Sequence, residues 1–590
     1  MDLQFNIDLP KLSGRVGARR FGCVPENADN TAQMQAALDY LATHPGTTLT
    51  LEPGVYRFAQ PERLRLHDAS DVCLDGGGAQ LVFSAKGFFS VERCTRAWLR
   101  NLIIDWDWEG AYRLADMIRA VERGEGWVLF EHFEVEQAQR VPWQSINQYD
   151  AQTLQPGCED GKEYEINYLQ PALRGIEYPG GNRTLVRHDG LLDDIRPGEV
   201  YCLRYEMYGT NAFTVCDCAH VTFEGVTVWS CPGMAFVVRD GSHHARFERC
   251  VVAKKPGANR NISATADSMH VCNTGGYILV EHCDFSFAGD DAINIHDNVG
   301  LITGVLGERS CIAQTRLNCV PGDEIGILRD DVYDVEYTAK LVSCEPCGDR
   351  LQKLTFDRPL PEGCGPNWIT FNTRFATRNY IFRNNYFHEN RARGLLLCAG
   401  HGLVENNVLY RTQGPAIWTV VDIEPRWSEG TGVRDLVVRH NRFIDCDVNQ
   451  WASCVVLRTL LPAGPSAAPV FRDILFEDNY FEDTPSFFFS MGSCGDVTLS
   501  RNTFALTRPR AREMPERGAI RVDRASNVVM KDNVVVRTRY YHGPLSRNRY
   551  PWGDKGAVKC TLDREPLTVY AEDTTSYRVT GTVVKNEKPL

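Results

Sequence analysis

The sequence has no long apolar run, no basic leader and no excess of positive charge. Its apolar stretches stay well short of the ~18 residues that a membrane-spanning helix needs, and its start, MDLQFNIDLPKLSGR, lacks the pattern of a signal peptide. Among 590 residues, 64 lysines and arginines face 76 aspartates and glutamates, a formal net charge of −12. Because nucleic acid and anionic membranes attract clustered basic surfaces, we expect neither as a partner, and a neutral substrate fits better. We expect a cytoplasmic protein, or a secreted or periplasmic one if a signal peptide has been removed.

A second pair of cysteines at zinc-ribbon spacing is also missing. The 21 cysteines are scattered through strand-like settings such as Val72-Cys73-Leu74, where a thiol acts as a small apolar filler. Cys344 and Cys347 form the one close pair of CxxC type, and a surface turn with two thiols is a simpler interpretation than a metal site. The cysteines suit a reducing compartment, and we expect no metal and no other cofactor.

What the sequence does contain is a short repeat, in which a polar residue and an asparagine precede an apolar strand. Partial copies of the repeat occur near Asn101 and Cys250. Among the clear copies, 22 positions separate Asn385 from Asn407. Rungs of about two dozen residues are therefore expected, with loops of variable length between some of them. The clearest copies lie around Asn385, Asn407, Asn441, Asn479, Asn502 and Asn533.

One such rung cannot bury its own apolar face, whereas stacked rungs form a continuous core. An asparagine at one place in each rung would stack at a turn, because asparagine tolerates left-handed backbone geometry and its amide can bond to the copy above. The repeat therefore predicts an all-β protein, a right-handed parallel β-helix (β-solenoid). The alternative is an antiparallel sandwich with coincidental Asn-x-Phe strings.

The amino-terminal segment predicts a helix that caps this solenoid. Asp29-Asn30-Thr31 has the character of a helix start, and the helical pattern ends near Pro45-Gly46. The whole passage RRFGCVPENADNTAQMQAALDYLATHPGTTLTLEPGVYRF resembles the opening of pectate-lyase-like β-helices, in which a helix covers the open edge of the first rung. The apolar residues at helical spacing are Met34, Ala37, Leu38 and Leu41.

Two regions interrupt the repeat and are rich in strand-like segments, so we expect inserted β-barrel-like domains there. Both contain a Pro-Gly-acid turn that leads into an apolar strand, in IRPGEVYCLR and in CVPGDEIGILR. The predicted organisation is an amino-terminal β-helix with its capping helix over 1–107, the first insert over 108–209, β-helix rungs with the candidate site over 210–298, the second insert over 299–374 and the carboxy-terminal β-helix over 375–590.

The densest group of ionisable side chains lies between Ala266 and His296. Aligning DSMHVCN with DAINIHDN places Asp267 over Asp291 one rung later, and RGLLLCAG places Arg393 beside them in the next rung. Rungs lie about 4.8 Å apart, so carboxylates at one rung position are forced together. The inward residues of this alignment are Met269, Val271, Ile293 and Ile295, and the outward ones are His270 and Asn294.

Asp290 and Asp291 cannot both face solvent in a regular strand, because side chains alternate between faces, so they must lie at a corner or bulge. Like charges raise one another's pKa, which lets one carboxyl stay protonated as an acid while another acts as a base. Asp267, Asp290 and Asp291 are thus candidate catalytic residues. Alternatively they cap turns or bind calcium, although calcium takes six to eight oxygens.

The string DSMH…GDDAINIH closely resembles glycoside hydrolase family 110, and the resemblance extends over most of the chain. It implies an inverting exo-α-1,3-galactosidase that releases terminal galactose from blood-group B or linear α-1,3-linked glycans, with no metal. Asp290 would be the general acid, and Asp267 and Asp291 would hold and deprotonate the attacking water. A more distant likeness is to family 28 polygalacturonases, whose Gly-His-Gly and Arg-x-Lys motifs are missing here.

Neutral sugars are recognised by planar polar groups that bond hydroxyls in pairs. We therefore expect Asn294, His296 and Arg393 to bind galactose, with His270 on the same outer face. Outward strand positions without a role are the alternative for the two histidines. Trp418, one rung further on, is expected to cover the apolar side of the sugar, unless it fills the core.

The basic loop KKPGANRN precedes Asp267, and within it Arg260 is expected to close over the substrate, although a solvated loop is the default. The expected partner is an oligosaccharide or glycoconjugate with terminal α-galactose, and a homodimer through an insert is a further expectation. Two other functions stay open: a β-helix hydrolase of another galactan, a sulfated galactan or a pectic chain, and a non-catalytic glycan-binding β-solenoid.

Overall fold

The computed structural model describes residues 3–166, 173–315, 317–329, 337–424, 427–508, 516–541, 559–574 and 577–587. Most of these residues form a parallel β-helix, in which strands of successive rungs pair side by side within one 37-stranded sheet. The predicted all-β solenoid is confirmed. Neither helix in the described ranges has the length and apolar character that crossing a membrane requires.

The predicted capping helix spans Thr31–Thr43 and follows a short 3-10 helix at Ala18–Phe21. The Asp29 carboxylate accepts a hydrogen bond from the Thr31 backbone N–H (3.2 Å), which stabilises the first turn. All four side chains predicted at helical spacing are buried against the first rungs. The strands of these rungs are Gly14–Gly17, Thr47–Thr50, Val55–Phe58, Leu64–His67, Ser70–Phe83, Phe89–Glu92 and Thr95–Trp106.

The central rungs lie between the two inserts and carry the candidate site. Their inward side chains at Met269, Val271, Ile293 and Ile295 are fully buried, as predicted. Each such side chain contributes about 1.5–3 kcal/mol of hydrophobic stabilisation. The central strands are Phe213–Cys216, Ala219–Glu224, Thr227–Val228, Phe236–Arg239, His243–Glu248, Val251–Val252, Met269–Cys272, Gly276–Glu281, Asp284–Ser286 and Ile293–His296.

The carboxy-terminal rungs continue the same columns of strands, apart from Ser428–Glu429 and Lys559–Glu565, which pair antiparallel with a neighbouring strand. They are Tyr380–Arg383, Tyr386–His388, Leu395–Leu397, Gly402–Glu405, Val408–Tyr410, Ile417–Ile423, Ser428–Glu429, Val433–Arg439, Arg442–Ile444, Ser453–Leu460, Phe471–Glu477, Tyr480–Glu482, Phe487–Ser500, Thr503–Leu506, Ile520–Lys531, Val534–Tyr541, Lys559–Glu565, Leu567–Glu572, Tyr577–Thr580 and Val584–Glu587.

The six predicted asparagines form a buried ladder at one turn of these rungs. The Asn441 side chain accepts hydrogen bonds from the backbone N–H (2.9 Å) and from the amide (3.0 Å) of Asn407, and in turn donates its own amide to Asn479 (3.1 Å). The left-handed residue is the one before each asparagine, such as Asn406 or His440, and not the ladder asparagine itself. In earlier rungs Cys250 and Cys283 hold the same place, and the Cys283 sulfur accepts from the Cys250 N–H (3.4 Å).

The first insert contains a seven-stranded antiparallel sheet with its own apolar core. The sheet has edge strands at Glu163–Glu165 and Leu173–Gly180, and the two edges do not pair with each other among the described residues. The first of these edges borders the candidate site. The strands are Ala115–Gly124, Trp127–His132, Ser145–Tyr149, Glu163–Glu165, Leu173–Gly180, Arg183–His188 and Val200–Arg204.

The second insert is a closed six-stranded barrel, also with a separate core. Closure removes the edge strands of this sheet, whereas the first insert keeps two, of which Glu163–Glu165 contacts the β-helix through Arg391. Its strands are Val299–Gly307, Ser310–Thr315, Glu324–Leu328, Tyr337–Gly348, Leu351–Phe356 and Ile369–Asn372.

Candidate active site

The three aspartates stand where successive rungs enter the same column of strands. Met269 pairs with Ile293, and Ile293 pairs with Leu395, so Asp267, Asp291 and Arg393 occupy equivalent places in three rungs, as the sequence alignment predicts. Asp290 and Asp291 lie in a bend before the strand Ile293–His296, which lets both reach the same side.

These aspartates line a cavity of about 1230 Å³ on the outer face of the β-helix. The first insert contributes Glu163, Tyr164 and Glu165 to its wall, and the second insert contributes Asn318. The β-helix supplies the floor. The site is therefore built by the rungs and enclosed from two sides by the inserts.

Asp267 and Asp291 form a vertical pair whose oxygens are all engaged. Asp267 accepts hydrogen bonds from the Asp291 backbone N–H (3.2 Å) at one oxygen and from His270 Nδ1 (2.7 Å) at the other. Asp291 accepts from the Arg393 backbone N–H and from Arg393 Nη2, both at 2.9 Å. The rung spacing thus places the two carboxylates together, and Arg393 supplies the opposite charge.

Asp290 has different partners. The Tyr208 hydroxyl donates a hydrogen bond to Asp290 Oδ2, and Arg391 Nη1 lies 3.5 Å from Oδ1. The bend that carries Asp290 is fixed from behind by buried Arg204, whose Nη1 donates to the carbonyl oxygens of Gly289 (2.6 Å) and Thr265 (3.0 Å). Asp290 is therefore held apart from the stacked pair.

The pKa values of the three carboxyls are driven apart by these surroundings. Burial raises the pKa of Asp291 well above its usual value, opposed by the charge of Arg393 and reinforced by the two other aspartates. Burial also raises the pKa of Asp267, although the hydrogen bond from His270 opposes the shift. At Asp290 burial is outweighed by Arg391, Arg393 and Tyr208, which lower the pKa of this carboxyl. The surroundings of the stacked pair therefore favour the protonated form more than those of Asp290 do.

One oxygen of each of the three carboxylates lies within 4.8 Å of the others, a grouping that a cation can also satisfy. In this cluster, however, Arg391 and Arg393 already provide positive charge to Asp290 and Asp291. A calcium site would need further oxygen ligands in their place. Carboxyls at one cavity whose pKa values are shifted in opposite directions are able to exchange a proton.

The predicted sugar-binding side chains of the β-helix are brought together at the same cavity. Asn294, His296, Arg393, His270 and Trp418 all line it. Buried atoms without a hydrogen-bond partner in the described residues include Asn294 Oδ1, Arg393 Nε and Trp418 Nε1. These three atoms are covered by protein in this conformation, so a ligand would reach them only after a local rearrangement of side chains.

His270 and His296 are linked to the aspartates through a chain of contacts. His270 Nδ1 lies 2.7 Å from Asp267, and its Nε2 lies 3.0 Å from His296 Nε2. Burial would lower the pKa of His270, but the hydrogen bonds to Asp267 and Cys272 raise it well above its usual value. His296 in turn lies 3.7 Å from the Glu429 carboxylate.

Arg260 is the predicted site residue that the structure places outside the cavity lining. Its guanidinium pairs with the buried carboxylate of Asp105 (2.7 Å) and lies over the Trp108 ring. Lys255 also pairs with Asp105 (3.1 Å). Arg260 therefore fixes the loop to the β-helix next to the first insert.

Several cavity residues escape sequence reasoning. Tyr208 lies in the link from the first insert back to the β-helix, where no periodicity marks it, and Glu429 lies in a loop strand beyond Trp418. Arg391 lies two residues before Arg393, but both precede the strand in a bend with left-handed Ala392 between them, so strand alternation could not predict that Arg391 reaches the cavity. Arg391 Nη2 also reaches Glu163 of the first insert (3.0 Å), a contact between segments that no repeat predicts.

The cavity wall carries more negative than positive side chains. Eight carboxylates line it: Glu163, Glu165, Asp240, Asp267, Asp290, Asp291, Asp422 and Glu429. Three arginines face them, Arg239, Arg391 and Arg393, together with two histidines. A ligand that carries sulfate or carboxylate groups would meet an unfavourable field here.

No family model matches the chain. Alpha-1,3-galactosidase A from Bacteroides fragilis is 24% identical over 518 residues, which cover 78% of this chain and 82% of the relative. Alpha-1,3-galactosidase B from Bacteroides thetaiotaomicron is 23% identical over 583 residues, 87% of this chain and 90% of the relative. Among solved structures, the A-module of a mannuronan C-5 epimerase from Azotobacter vinelandii has a TM-score of 0.41 at 11% identity, over 82% of this chain and 94% of that one. The similarity of most of the chain to proteins that share one name supports a relationship to galactosidases, and thus to glycosidases that act on carbohydrate.

Proposed function

We propose that the protein is an exo-acting α-1,3-galactosidase that hydrolyses terminal α-1,3-linked galactose with inversion of anomeric configuration. The observation that carries the proposal is the cluster of Asp267, Asp290 and Asp291, buried at one cavity and differing in pKa. Hydrolysis of a glycosidic bond needs two carboxyl groups in opposite protonation states. The names of the relatives supply the bond type.

We further propose that the chain belongs to glycoside hydrolase family 110. The Asp-to-Asp-Asp string is the most specific part of the resemblance. The cavity supports this proposal because it gathers the string with the predicted sugar-binding residues of the next two rungs.

In the proposed reaction Asp290 protonates the glycosidic oxygen, while Asp267 and Asp291 orient and deprotonate water. The separate hydrogen bonds of Asp290, to Tyr208 and near Arg391, support a role different from that of the stacked pair. Because the lowered pKa of Asp290 favours its charged form, the proton must move to it from the pair before bond cleavage. The three carboxylates lie within 4.8 Å of one another, so this transfer covers a short distance.

Inversion is proposed from the resemblance to family 110. Each of the four oxygens of Asp267 and Asp291 accepts one hydrogen bond and keeps a further lone pair, so these bonds do not decide between activation of water and covalent attack on the sugar. One oxygen of each carboxylate lies within 4.8 Å of the others, which is a closest approach and not the separation between carboxyl groups that distinguishes inverting enzymes (roughly 6.5–9.5 Å) from retaining ones (~5 Å). The stereochemical course therefore has to be measured directly.

The charge of the cavity bears on the choice of glycan. Eight carboxylates against three arginines disfavour a sulfated galactan or a pectic chain, both of which carry negative charge. Neutral galactose meets no such penalty. The apolar face of the sugar has a counterpart in Trp418, which lines the cavity beside Leu396 and Val420.

The proposal is tested by galactose release from defined substrates. We expect release from linear α-1,3-galactobiose or from blood-group B trisaccharide, and from nitrophenyl α-galactoside. Polygalacturonate and a sulfated galactan should yield no product. If the wild-type protein releases no more galactose from any α-galactoside than the Asp290→Asn variant does, the proposed activity is refuted.

A further inference from the structure

One wall of the cavity carries a cluster of nitrogen and sulfur ligands that the proposed reaction does not use as a group. His270 and Cys272 are two residues apart on the strand Met269–Cys272 and so point to the same side. His296 pairs with Cys272 in the next rung. All three side chains line the cavity.

The donor atoms of this cluster are close enough to share one ion. The His270 and His296 ring nitrogens and the Cys272 sulfur lie within 4.8 Å of one another, and the two Nε2 atoms are only 3.0 Å apart. Zinc binds nitrogen at about 2.0–2.1 Å and sulfur at about 2.3 Å, so its ligands lie some 3–4 Å apart. Small side-chain rotations suffice to reach that geometry.

The surroundings of the cluster match those of zinc sites. Asp267 contacts His270 Nδ1 (2.7 Å), which orients the ring and directs Nε2 toward His296, as carboxylates do behind metal-bound histidines. The Glu429 carboxylate lies 3.7 Å from His296 Nε2 but outside the group of mutually close donors, so it would become the fourth ligand by moving toward His270 and Cys272. Arg239, in the rung before, is paired with Asp240 (2.7 Å), so its charge is offset nearby.

We propose that His270, Cys272 and His296, with Glu429, bind one Zn²⁺ or a cation of similar chemistry, and that the bound ion inhibits the enzyme. Two imidazoles, a thiolate and a carboxylate form a ligand set that binds zinc in preference to calcium or magnesium. Inhibition, which rests on the proposed function, follows because the ion would fix His270 against Asp267 and occupy the space that galactose needs. The metal is thus an inhibitor and not a cofactor.

Cobalt binding tests the site without any need for activity. The full chain, stripped with a chelator, is titrated with CoCl₂, and we expect a thiolate-to-cobalt charge-transfer band that ZnCl₂ displaces. Cys272→Ser should abolish the band, and His296→Gln should weaken cobalt binding at least tenfold. Cys216→Ser is the matched control, because Cys216 lies on the same strand face two rungs earlier, outside the cluster.

Activity then tests inhibition. ZnCl₂ should inhibit galactose release by the wild-type protein and by Cys216→Ser, and the inhibitory concentration should rise at least tenfold in Cys272→Ser, each compared with its own metal-free rate. Absence of the band, or a band that survives in Cys272→Ser, would overturn the site. A band without inhibition of an active enzyme would overturn the inhibitory role. An inactive wild type with an intact band would refute the galactosidase and leave the site standing.

Discussion

The β-helix stacks residues of the same type at two places, the asparagine ladder and the aspartate column, with opposite physical results. An asparagine amide both donates and accepts, so Asn407, Asn441 and Asn479 satisfy one another along the stack. A carboxylate only accepts, so Asp267 and Asp291 need His270 and Arg393 to be tolerated. The ladder supplies its own hydrogen-bond partners, whereas the column depends on other side chains for them.

The largest expected effect comes from removing the carboxyl that lies beside the column and outside it. Asp290→Asn removes the proposed acid and should lower kcat/KM for α-1,3-galactobiose by about 10²–10⁴-fold. Nitrophenolate leaves without protonation, so hydrolysis of nitrophenyl α-galactoside should fall much less. Rates on the two substrates check this. Equal losses on both would contradict the role of Asp290, and unchanged glycan binding without any wild-type hydrolysis would favour a binding protein.

Asp267→Asn should act differently from Asp290→Asn. Since water must be activated whatever the leaving group, we expect losses of about 10²–10⁴-fold on both substrates. Removal of one buried like charge should leave the thermal unfolding midpoint equal or higher. Calorimetry beside the two kinetic assays measures both outcomes. A large loss of stability would mean that Asp267 serves the fold in the way the ladder does.

The ladder should show the reverse. Asn479→Ala leaves the Asn441 backbone N–H and amide without their acceptor, which should lower the free energy of unfolding by about 2 kcal/mol while kcat stays unchanged. Asn479→Cys should cost less, because a sulfur accepts this N–H between Cys250 and Cys283. Denaturant unfolding of the two variants gives the difference. Loss of activity in a folded Asn479→Ala variant would contradict the claim that the ladder affects stability and not catalysis.

The smallest effect concerns pH. Burial raises the pKa of Asp291 and Asp267, so the cluster keeps its proton above the usual range of a carboxyl and loses it as the pH rises. Above that point kcat/KM for galactobiose should fall tenfold per pH unit, since the acid form is required. With nitrophenyl α-galactoside this alkaline limb should be absent. The same limb for both substrates would show that another group titrates.

The repeat made the rungs, the ladder and the column predictable. A period of about two dozen residues fixes which residues share a place, and this alone positions Asp267, Asp291 and Arg393. The repeat could not predict that the left-handed residue is the one before each ladder asparagine. Asparagine suits both the left-handed turn position and the hydrogen-bonded ladder position, so the sequence does not distinguish them.

Contacts between segments of different kind were beyond sequence reasoning. Tyr208 and the pairing of Arg391 with Glu163 depend on how the first insert returns to the rungs. Arg260 was selected for its nearness to Asp267 in the sequence, but in space it faces Asp105. The stacking rule has no information about such loops.

The anomeric form of the first galactose released tests the central claim most directly. Proton NMR of the wild-type protein with α-1,3-galactobiose should show β-galactose first, with α-galactose appearing only through mutarotation. This result is expected if Asp267 and Asp291 direct water to the anomeric carbon while Asp290 protonates the leaving oxygen. Initial α-galactose would contradict the account, because it requires a covalent intermediate on one of these carboxylates.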